Sequence, residues 1–337
     1  MKVFVQIPCY NEEHTLEQTI KDIPRKIPGV DQVLILVSDD GSTDGTIEKA
    51  KELGVDYIVT HRRNMGLARN FQSAVEACLH LGADIIVNTD GDNQYRGDHI
   101  PRLVKPILDG EADFVVGCRD IKGHEEFSPI KKSLQLLGSR AVSLLSNTNI
   151  PDATSGFRAF HRDAAMQLNV LNRFSYTIET LIQAGNSDVR VGYAQIGVNK
   201  KTRESRLFKS IPEFVSRQLS TMLRMFLFYS PVKFFAALTS VCFILAFLFG
   251  LRVIYHAYFI PPEDWTIKIG TLAISGIFTI LGFFTMTMGV IGSNLASTRQ
   301  MLTKMQVQMR HEALSKKLPP SLHIIDCAKE REKNRKV

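Results

Sequence analysis

Across 337 residues the chain has one tryptophan and five cysteines. The cysteines, at 9, 78, 118, 242 and 327, are scattered, odd in number and without a close pair. That excludes a disulfide framework and a zinc site, and it fits a reducing, cytosolic setting for the soluble part. No G-x-G-x-x-G follows the first strand-like run and no G-x-x-x-x-G-K-[ST] occurs. The usual dinucleotide and P-loop readings therefore fail. The opening MKVFVQIPCY has one lysine and an apolar run cut by Gln6 and Pro8. It is too short for a signal h-region and reads as a first strand.

Charge is also missing where it matters. Residues 234–251 carry none, and neither do 269–298. Both runs are long enough to span a bilayer, and buried core helices of that kind rarely come in pairs. Acid is scarce in the second part of the chain. Residues 1–199 hold 21 Lys/Arg against 26 Asp/Glu, a net of −5, whereas 200–337 hold 20 against 8, a net of +12. A basic surplus wrapped around apolar runs points to an anionic membrane surface rather than to nucleic acid. Lys209, Arg217, Arg224 and Lys233 precede the first run; Arg299, Lys304, Arg310, Lys316 and Lys317 follow the second. The positive-inside rule then puts both ends in the cytosol, with the short acidic PPEDWT on the far side. Arg252 and Lys268, at the far ends of the spans, are expected to snorkel toward headgroups.

Ahead of the first span, Ile211, Phe214, Val215, Leu219, Met222, Leu223 and Phe226 fall on one helical face, as in an interfacial amphipathic helix. The closing AKEREKNRKV is a mixed-charge run expected to be solvated.

What is present in the first part is alternation. KVFVQI, QVLILVS, DYIVTH, ADIIVN and ADFVVGCRD read as strands; EEHTLEQTIKDI, DGTIEKAKELG and LARNFQSAVEACLHLG read as helices. The pattern predicts a mostly parallel sheet covered by helices, with ligands outside the carboxyl ends of the strands. Acidic motifs sit at those ends: PCYNEE, DDGSTDGT and DGDNQ. In DGDNQ, residues i and i+2 of an extended chain point the same way, so Asp90 and Asp92 can face one point. Gly91 allows close approach to the backbone. Two hard oxygen donors in an incomplete set suit Mg²⁺ or Mn²⁺ shared with a substrate's phosphates, and Gln94 can add a neutral oxygen. The competing reading is an Asp-Gly turn, which the tripeptide alone would not beat. Asp39 and Asp40 at the second strand's end can accept hydrogen bonds from a ribose or a base edge.

Taken together, NMGLARNFQSAV, DGDNQ, VGCRD, DATSGFRAF and RESRLFKSIPEF resemble, in order, the inverting family-2 glycosyltransferases with a GT-A fold. More narrowly they are similar to the polyprenyl-phosphate branch, the dolichol-phosphate-mannose-synthase-like enzymes. The resemblance covers residues 1–230. It implies an α/β fold with a Rossmann-like, mostly parallel GT-A catalytic domain over 1–205; the periodicity, apolar runs and charges above add an interfacial helix over 206–230, two transmembrane helices over 231–298, which also occur in many members, and a cytosolic basic tail over 299–337. It implies that Pro8, Tyr10, Asn11, Glu12, Asp39 and Asp40, with Asp90 and Gly91, hold a UDP- or GDP-linked sugar. Asp90, Asp92 and Gln94 would hold the divalent cation. Arg119, Lys132, Arg203, Ser205 and Arg206 would hold the acceptor phosphate. This chain departs from the family where Gly91 and Asn93 replace the frequent Ala and Leu, and where Arg203-Glu204-Ser205-Arg206 replaces Gly-Glu-Ser-Lys.

Asp92 and Asp152 are the candidate catalytic carboxylates. Transfer to a hydroxyl requires a carboxylate base. A phosphate monoester is largely ionised near neutral pH, its second pKa being roughly 6, and needs none. Asp152 therefore reads as a base, an orienting group or a turn cap. Glu179 reads as a buried, paired carboxylate or a functional one, and the histidines carry no assigned role. The expected function is inverting, metal-dependent transfer of one sugar to a polyprenyl phosphate at the cytosolic membrane face. The alternatives are a transferase acting on a lipid hydroxyl such as diacylglycerol, or a non-enzymatic membrane subunit. Expected partners are the nucleotide-sugar, the polyprenyl phosphate and the bilayer, without nucleic acid; a homo-oligomer is left open.

Overall fold

The computed structural model describes residues 1–121, 123, 129–170, 176–199, 211–259, 265–314 and 323–335. The chain divides into two compact units, Met1–Met222 with Lys304–Val337, and Leu223–Thr303.

The first unit begins with the expected alternation: β1 (Lys2–Cys9), α1 (Leu16–Asp22), β2 (Gln32–Asp39), α2 (Thr46–Glu52), β3 (Tyr57–Thr60), α3 (Leu67–His80), β4 (Ile85–Asn88), α4 (Ile100–Leu108) and β5 (Phe114–Arg119). It continues with α5 (Pro129–Ser146), β6 (Arg158–His161), α6 (Arg162–Gln167), α7 (Thr177–Gly185) and β7 (Val191–Ile196). The apolar runs become strands because both faces are covered. All but one residue of β1 is buried, and β4 and β5 are buried throughout. A sheet buried on both faces reads as near-continuous hydrophobic sequence, as these strands do.

The sheet has eight strands in the order β7-β5-β6-β4-β1-β2-β3-β8. β1 runs parallel to both β2 and β4, in a register that aligns Cys9 with Asp39 and Gln6 with Asn88. The chain therefore leaves β1 toward β2 and β3, then returns to β1's other side at β4. That reversal opens a crevice at the carboxyl ends of β1 and β4, where ligands bind in such sheets. β6 runs antiparallel between β4 and β5.

The chain beyond 299, expected as a basic tail, is different. There β8 (His323–Asp326) pairs antiparallel with β3 as the edge strand of the sheet. α11 (Cys327–Arg335) follows, and Arg331 Nη2 donates to Val55 O at 2.9 Å while Lys51 pairs with Glu330 at 3.2 Å. The expected solvated AKEREKNRKV is thus largely helical and tied to the sheet edge. Its neighbour HIID, four residues within a basic stretch, is too short to announce a strand. The first unit also extends to Met222, past the expected boundary at 205.

α8 (Ile211–Tyr229) leads from the first unit into the second, which holds most of α9 (Pro231–Phe259) and α10 (Trp265–Leu314). Both long helices are apolar enough to cross a membrane, and only 11% and 17% of their most apolar windows is buried. A soluble core helix would be mostly covered. The two helices touch through small and hydroxyl residues, as membrane helices do. Thr239 and Thr285 hydroxyls meet at 2.9 Å, Ser275 Oγ donates to Ala246 O at 2.9 Å, and a Cβ on Gly282 would lie 2.8 Å from the Phe243 ring. On α8, Leu219 and Leu223 are exposed, as expected of an interfacial face. The side chains of Ile211, Phe214 and Val215 lie outside the described ones.

Candidate active site

The carboxyl ends of β1, β2, β4 and β5 gather the predicted residues. At the end of β1, Pro8 is buried and Tyr10 is exposed. Asn11 adopts φ 55°, which turns the chain back across the β2–α2 loop. Its backbone N–H donates to Ser42 Oγ at 2.9 Å and its Oδ1 accepts from Thr43 N at 2.9 Å. Glu12 is 7% exposed. Its Oε2 accepts from the Thr15 hydroxyl at 2.8 Å, and the same hydroxyl lies 2.9 Å from Gly91 O. Thr15 therefore fastens the β1 motif to DGDNQ.

Asp39 is the last residue of β2, and Asp40 lies in the bend that follows it. Asp39 is fully buried; its Oδ2 accepts from Gly41 N and Ser42 N, both at 3.1 Å. Its Oδ1 is buried with no hydrogen-bond partner. A buried carboxylate oxygen without a donor is costly unless a ligand supplies one. Asp40 is occupied: Oδ1 accepts from Met65 N at 2.7 Å and Oδ2 from Gly66 N at 2.9 Å. Burial raises its pKa against the pull of those bonds. It shapes the loop entering α3, and the structure gives it no open oxygen toward a ligand.

Asp90 and Asp92 are half-buried just past β4, around a buried Gly91. A Cβ at Gly91 would stand 3.1 Å from Cys9 Sγ and 3.4 Å from Pro8 O, so the backbone here is pressed against β1. Asp90 is backed by Gly156, where a Cβ would sit 3.1 and 3.2 Å from its two oxygens and 2.9 Å from Tyr176 Oη. Asp92 Oδ1 accepts from Gln94 N at 3.2 Å. Among the described residues no group of three or more His, Cys, Asp or Glu could close a metal site. Two carboxylates at one strand end fit a hard cation whose remaining ligands are substrate oxygens.

At the end of β5, Arg119 is 9% exposed and Asp152 fully buried. Arg119 Nε donates to Asp152 Oδ2 at 2.6 Å and Nη2 to Oδ1 at 3.1 Å, a two-pronged ion pair. Nη2 also donates to Thr154 Oγ1 at 3.1 Å. Burial alone would raise the Asp152 carboxyl; the Arg119 guanidinium and the Thr154 hydroxyl overcome it and hold the group below the usual range. A carboxylate held in this way is a weak proton acceptor. Lys132 is half-buried in the first part of α5. Arg203, Ser205 and Arg206 lie outside the described residues. Glu179 is buried in the first turn of α7.

Residues without a predicted role surround this core. Asn88 Nδ2 donates to Gly156 O and to Tyr176 Oη, both at 2.8 Å, and Gln6 Nε2 donates to Asn88 Oδ1 at 2.9 Å. Tyr95 Oη accepts from Gly156 N at 2.9 Å, and burial pushes its pKa up to about 12. Arg158, in the quoted GFRAF but given no role, is fully buried. It donates to Ala153 O, Ser155 O, Thr177 O and Thr180 Oγ1 at 2.7–2.9 Å. An arginine between two phenylalanines in a strand-like run was the available signal. Tyr176 had none.

The mixed, mostly parallel sheet with its acidic strand ends defines a fold of the GT-A type. Residues 4–168 match the glycosyl transferase family 2 model, and the chain belongs to that family of glycosyltransferases. It is 29% identical over 216 residues to a UDP-N-acetylglucosamine–dolichyl-phosphate N-acetylglucosaminyltransferase of Methanococcus voltae, covering 58% of this chain and 84% of the relative. It is 30% identical over 224 residues to a dolichol-phosphate mannosyltransferase of Pyrococcus furiosus, covering 64% of this chain and 62% of the relative. Among solved structures, glucosyl-3-phosphoglycerate synthase from Mycobacterium tuberculosis, with Mn²⁺, uridine diphosphate and phosphoglyceric acid, superposes with TM-score 0.52 at 23% identity. That match covers 66% of this chain and 77% of the synthase, and at this identity it speaks for the fold alone.

Proposed function

We propose that the protein transfers one sugar, with inversion, from a nucleotide-sugar to a polyprenyl phosphate at the cytosolic face of a membrane. The observation that supports this acceptor most is the buried Arg119–Asp152 pair. Transfer to a lipid hydroxyl requires a free carboxylate base near the acceptor. The candidate, Asp152, is committed to Arg119 at 2.6 Å. A phosphate acceptor is already anionic and needs a cation rather than a base, and Arg119 is that cation. The acceptors named for the two relatives above are dolichyl or dolichol phosphates, and the two apolar helices of this chain fit a lipid-borne acceptor. A degenerate, non-enzymatic subunit would have no need of Asp90 and Asp92, both of which are present at β4's end.

In this reading Pro8, Tyr10, Asn11 and Glu12 form one wall of the nucleoside site. Asp39 Oδ1 accepts a base N–H there. Asp90, Asp92 and Gln94 would hold a divalent cation, which when bound neutralises charge on the departing nucleoside diphosphate. Thr15 keeps Gly91 and Glu12 in register, so both sides of the donor site are held by one hydroxyl. Asp152 positions Arg119, and Arg119 with Lys132, Arg203, Ser205 and Arg206 orients the acceptor oxygen for attack from the opposite face of the sugar.

The test is incubation of the purified protein with a panel of nucleotide-sugars and with undecaprenyl or dolichyl phosphate and diacylglycerol together, with lipid products weighed by mass spectrometry. The expected product is a monoglycosylated polyprenyl phosphate that fails to form in chelator. Glycosylated diacylglycerol in its place, or transfer undiminished by chelator, would overturn the acceptor or the cation respectively.

A further inference from the structure

The DGDNQ loop does not stand by itself. Past β7 the chain runs alongside it through Gly197, Val198 and Asn199. Val198 bridges antiparallel to Tyr95. Gly197 N donates to Nδ1 of His99, just ahead of α4, at 2.9 Å. Asn199 holds the loop twice: its backbone N–H donates to Gln94 O at 3.0 Å and its Nδ2 to Asn93 O at 3.1 Å. The same Nδ2 lies 3.5 Å from Asp22 Oδ2 at the end of α1.

These bonds fall between the groups expected to meet the cation. Gln94 is gripped at both of its peptide groups, its N–H by Asp92 Oδ1 at 3.2 Å and its C=O by Asn199. Asn93 separates Asp92 from Gln94, is 6% exposed and adopts φ 54°. A non-glycine residue in the left-handed region persists where its surroundings hold it. The Asn93 side-chain oxygen supplies no such hold, being buried with no hydrogen-bond partner; the carbonyl, bonded to Asn199, does. The residue after Asn199 opens KKTRESR, the run that contains Arg203, Ser205 and Arg206. Asn199 is thus the last residue before the basic run and the one that ties the chain to the cation loop.

We infer that Asn199 is a positioning residue: by fixing Asn93 and Gln94 it sets where Asp92 and Gln94 present their oxygens to a divalent ion. This role rests on the cation reading above, and its test reads ion binding rather than turnover.

The full chain in detergent would be titrated with Mn²⁺ in the presence of UDP or of GDP, free Mn²⁺ being read by electron paramagnetic resonance. Asn199→Leu keeps the shape of the side chain and removes its donor without adding charge. Mn²⁺ binding should weaken by about 10–100-fold, the usual effect of removing a group that orients a metal ligand. Melting in the absence of Mn²⁺ should stay near that of the wild type. Unchanged Mn²⁺ affinity, whether or not melting falls, overturns the inference and leaves Asn199 with a role in folding alone. Should Asn199→Leu not fold, His99→Leu gives the same reading, because it frees Gly197 N two residues away. His99→Asn, which keeps an acceptor near the Nδ1 position, should then bind Mn²⁺ as the wild type does. Equal Mn²⁺ affinity for His99→Leu and His99→Asn overturns the inference. Failure of the wild type to bind Mn²⁺ with either nucleotide overturns the cation reading, and the role of Asn199 with it.

Discussion

Gly156 is where two functions of the site meet. Its carbonyl and amide hold Asn88 and Tyr95, while its missing side chain leaves room for Asp90. Gly156→Ala would push a methyl group to 2.9 Å from Tyr176 Oη and 3.1 Å from Asp90 Oδ1. Because the displaced neighbour is the carboxylate, transfer should fall at least tenfold, with an accompanying loss of divalent-ion dependence in nucleotide binding. Overpacking costs about 1–3 kcal/mol, so the fold should survive. An active variant that still binds nucleotide through the cation would separate Asp90 from metal binding. Asp152 makes a different demand. Asp152→Asn leaves the Arg119 guanidinium buried without its anion, a loss of about 3–5 kcal/mol at neutral pH. The folded-state pKa of Asp152 is lowered. Its stabilising effect is therefore present above the unfolded value of about 3.9 and is lost as pH falls through the lower folded value. Thermal unfolding of wild type and Asp152→Asn should accordingly differ most near neutrality, with the gap narrowing below about pH 4 and closing only once pH has passed the lower folded value. A gap that stays constant to pH 3 would assign the effect to shape rather than charge.

At the scale of elements, legibility followed burial. β1, β2, β4 and β5 could be read because each is a mostly apolar run followed by charged residues, which is how a strand buried on both faces and ending at a site looks. β6 could not, since Arg158 sits in its first position and a charge normally marks a surface. Here the cation is neutralised by carbonyls that no local pattern reveals. β8 was hidden by its length and its basic surroundings, and α5 by an inverted polarity that makes buried residues look exposed. Of the candidate site, the clustering of Asp90, Asp92 and Asp39 at neighbouring strand ends was legible from spacing. The Arg119–Asp152 pairing was not, because 33 residues separate the partners. β8 carries its own prediction. Deleting residues 323–337 removes the partly buried Ile325 and the buried Cys327 and uncovers the β3 edge. Burial of one such aliphatic side chain contributes about 1.5–3 kcal/mol. The first unit should therefore lose roughly 3–12 °C of thermal stability, scaling at about 2–4 °C per kcal/mol. An open edge strand also promotes association. Light scattering on heating should rise earlier than in the full chain; unchanged melting and scattering would mean that β8 is dispensable.

The whole molecule divides its charge between −5 over residues 1–199 and +12 over 200–337, from 21 bases against 26 acids and 20 against 8. In the proposed orientation, which puts both ends in the cytosol, Trp265 should be labelled as a cysteine variant only from the far side, while Val337 is labelled from the cytosolic side. Labelling of both from one side would refute the two-span topology. The basic surplus also bears on the acceptor. Residues 200–233 hold eight Lys/Arg against two Asp/Glu and lead directly to the first span. A lipid phosphate stays at headgroup level, so the cations that meet it must come from chain held near that level. Arg206, in the segment just ahead of α8, is the residue whose position in the family motif assigns it that contact. A lost charge-assisted contact costs about 1.5–3 kcal/mol, roughly ten- to a hundredfold. Arg206→Ala should therefore raise the apparent KM for polyprenyl phosphate, or lower turnover, by that order. Nucleotide-sugar binding should hardly change, because the proposed donor site lies at the ends of β1, β2 and β4. Transfer to polyprenyl phosphate and to diacylglycerol would be measured side by side for both proteins. Indifference of the phosphate reaction to the substitution, or a wild-type preference for diacylglycerol, would shift the assignment to a lipid-hydroxyl transferase and reopen the question of its base.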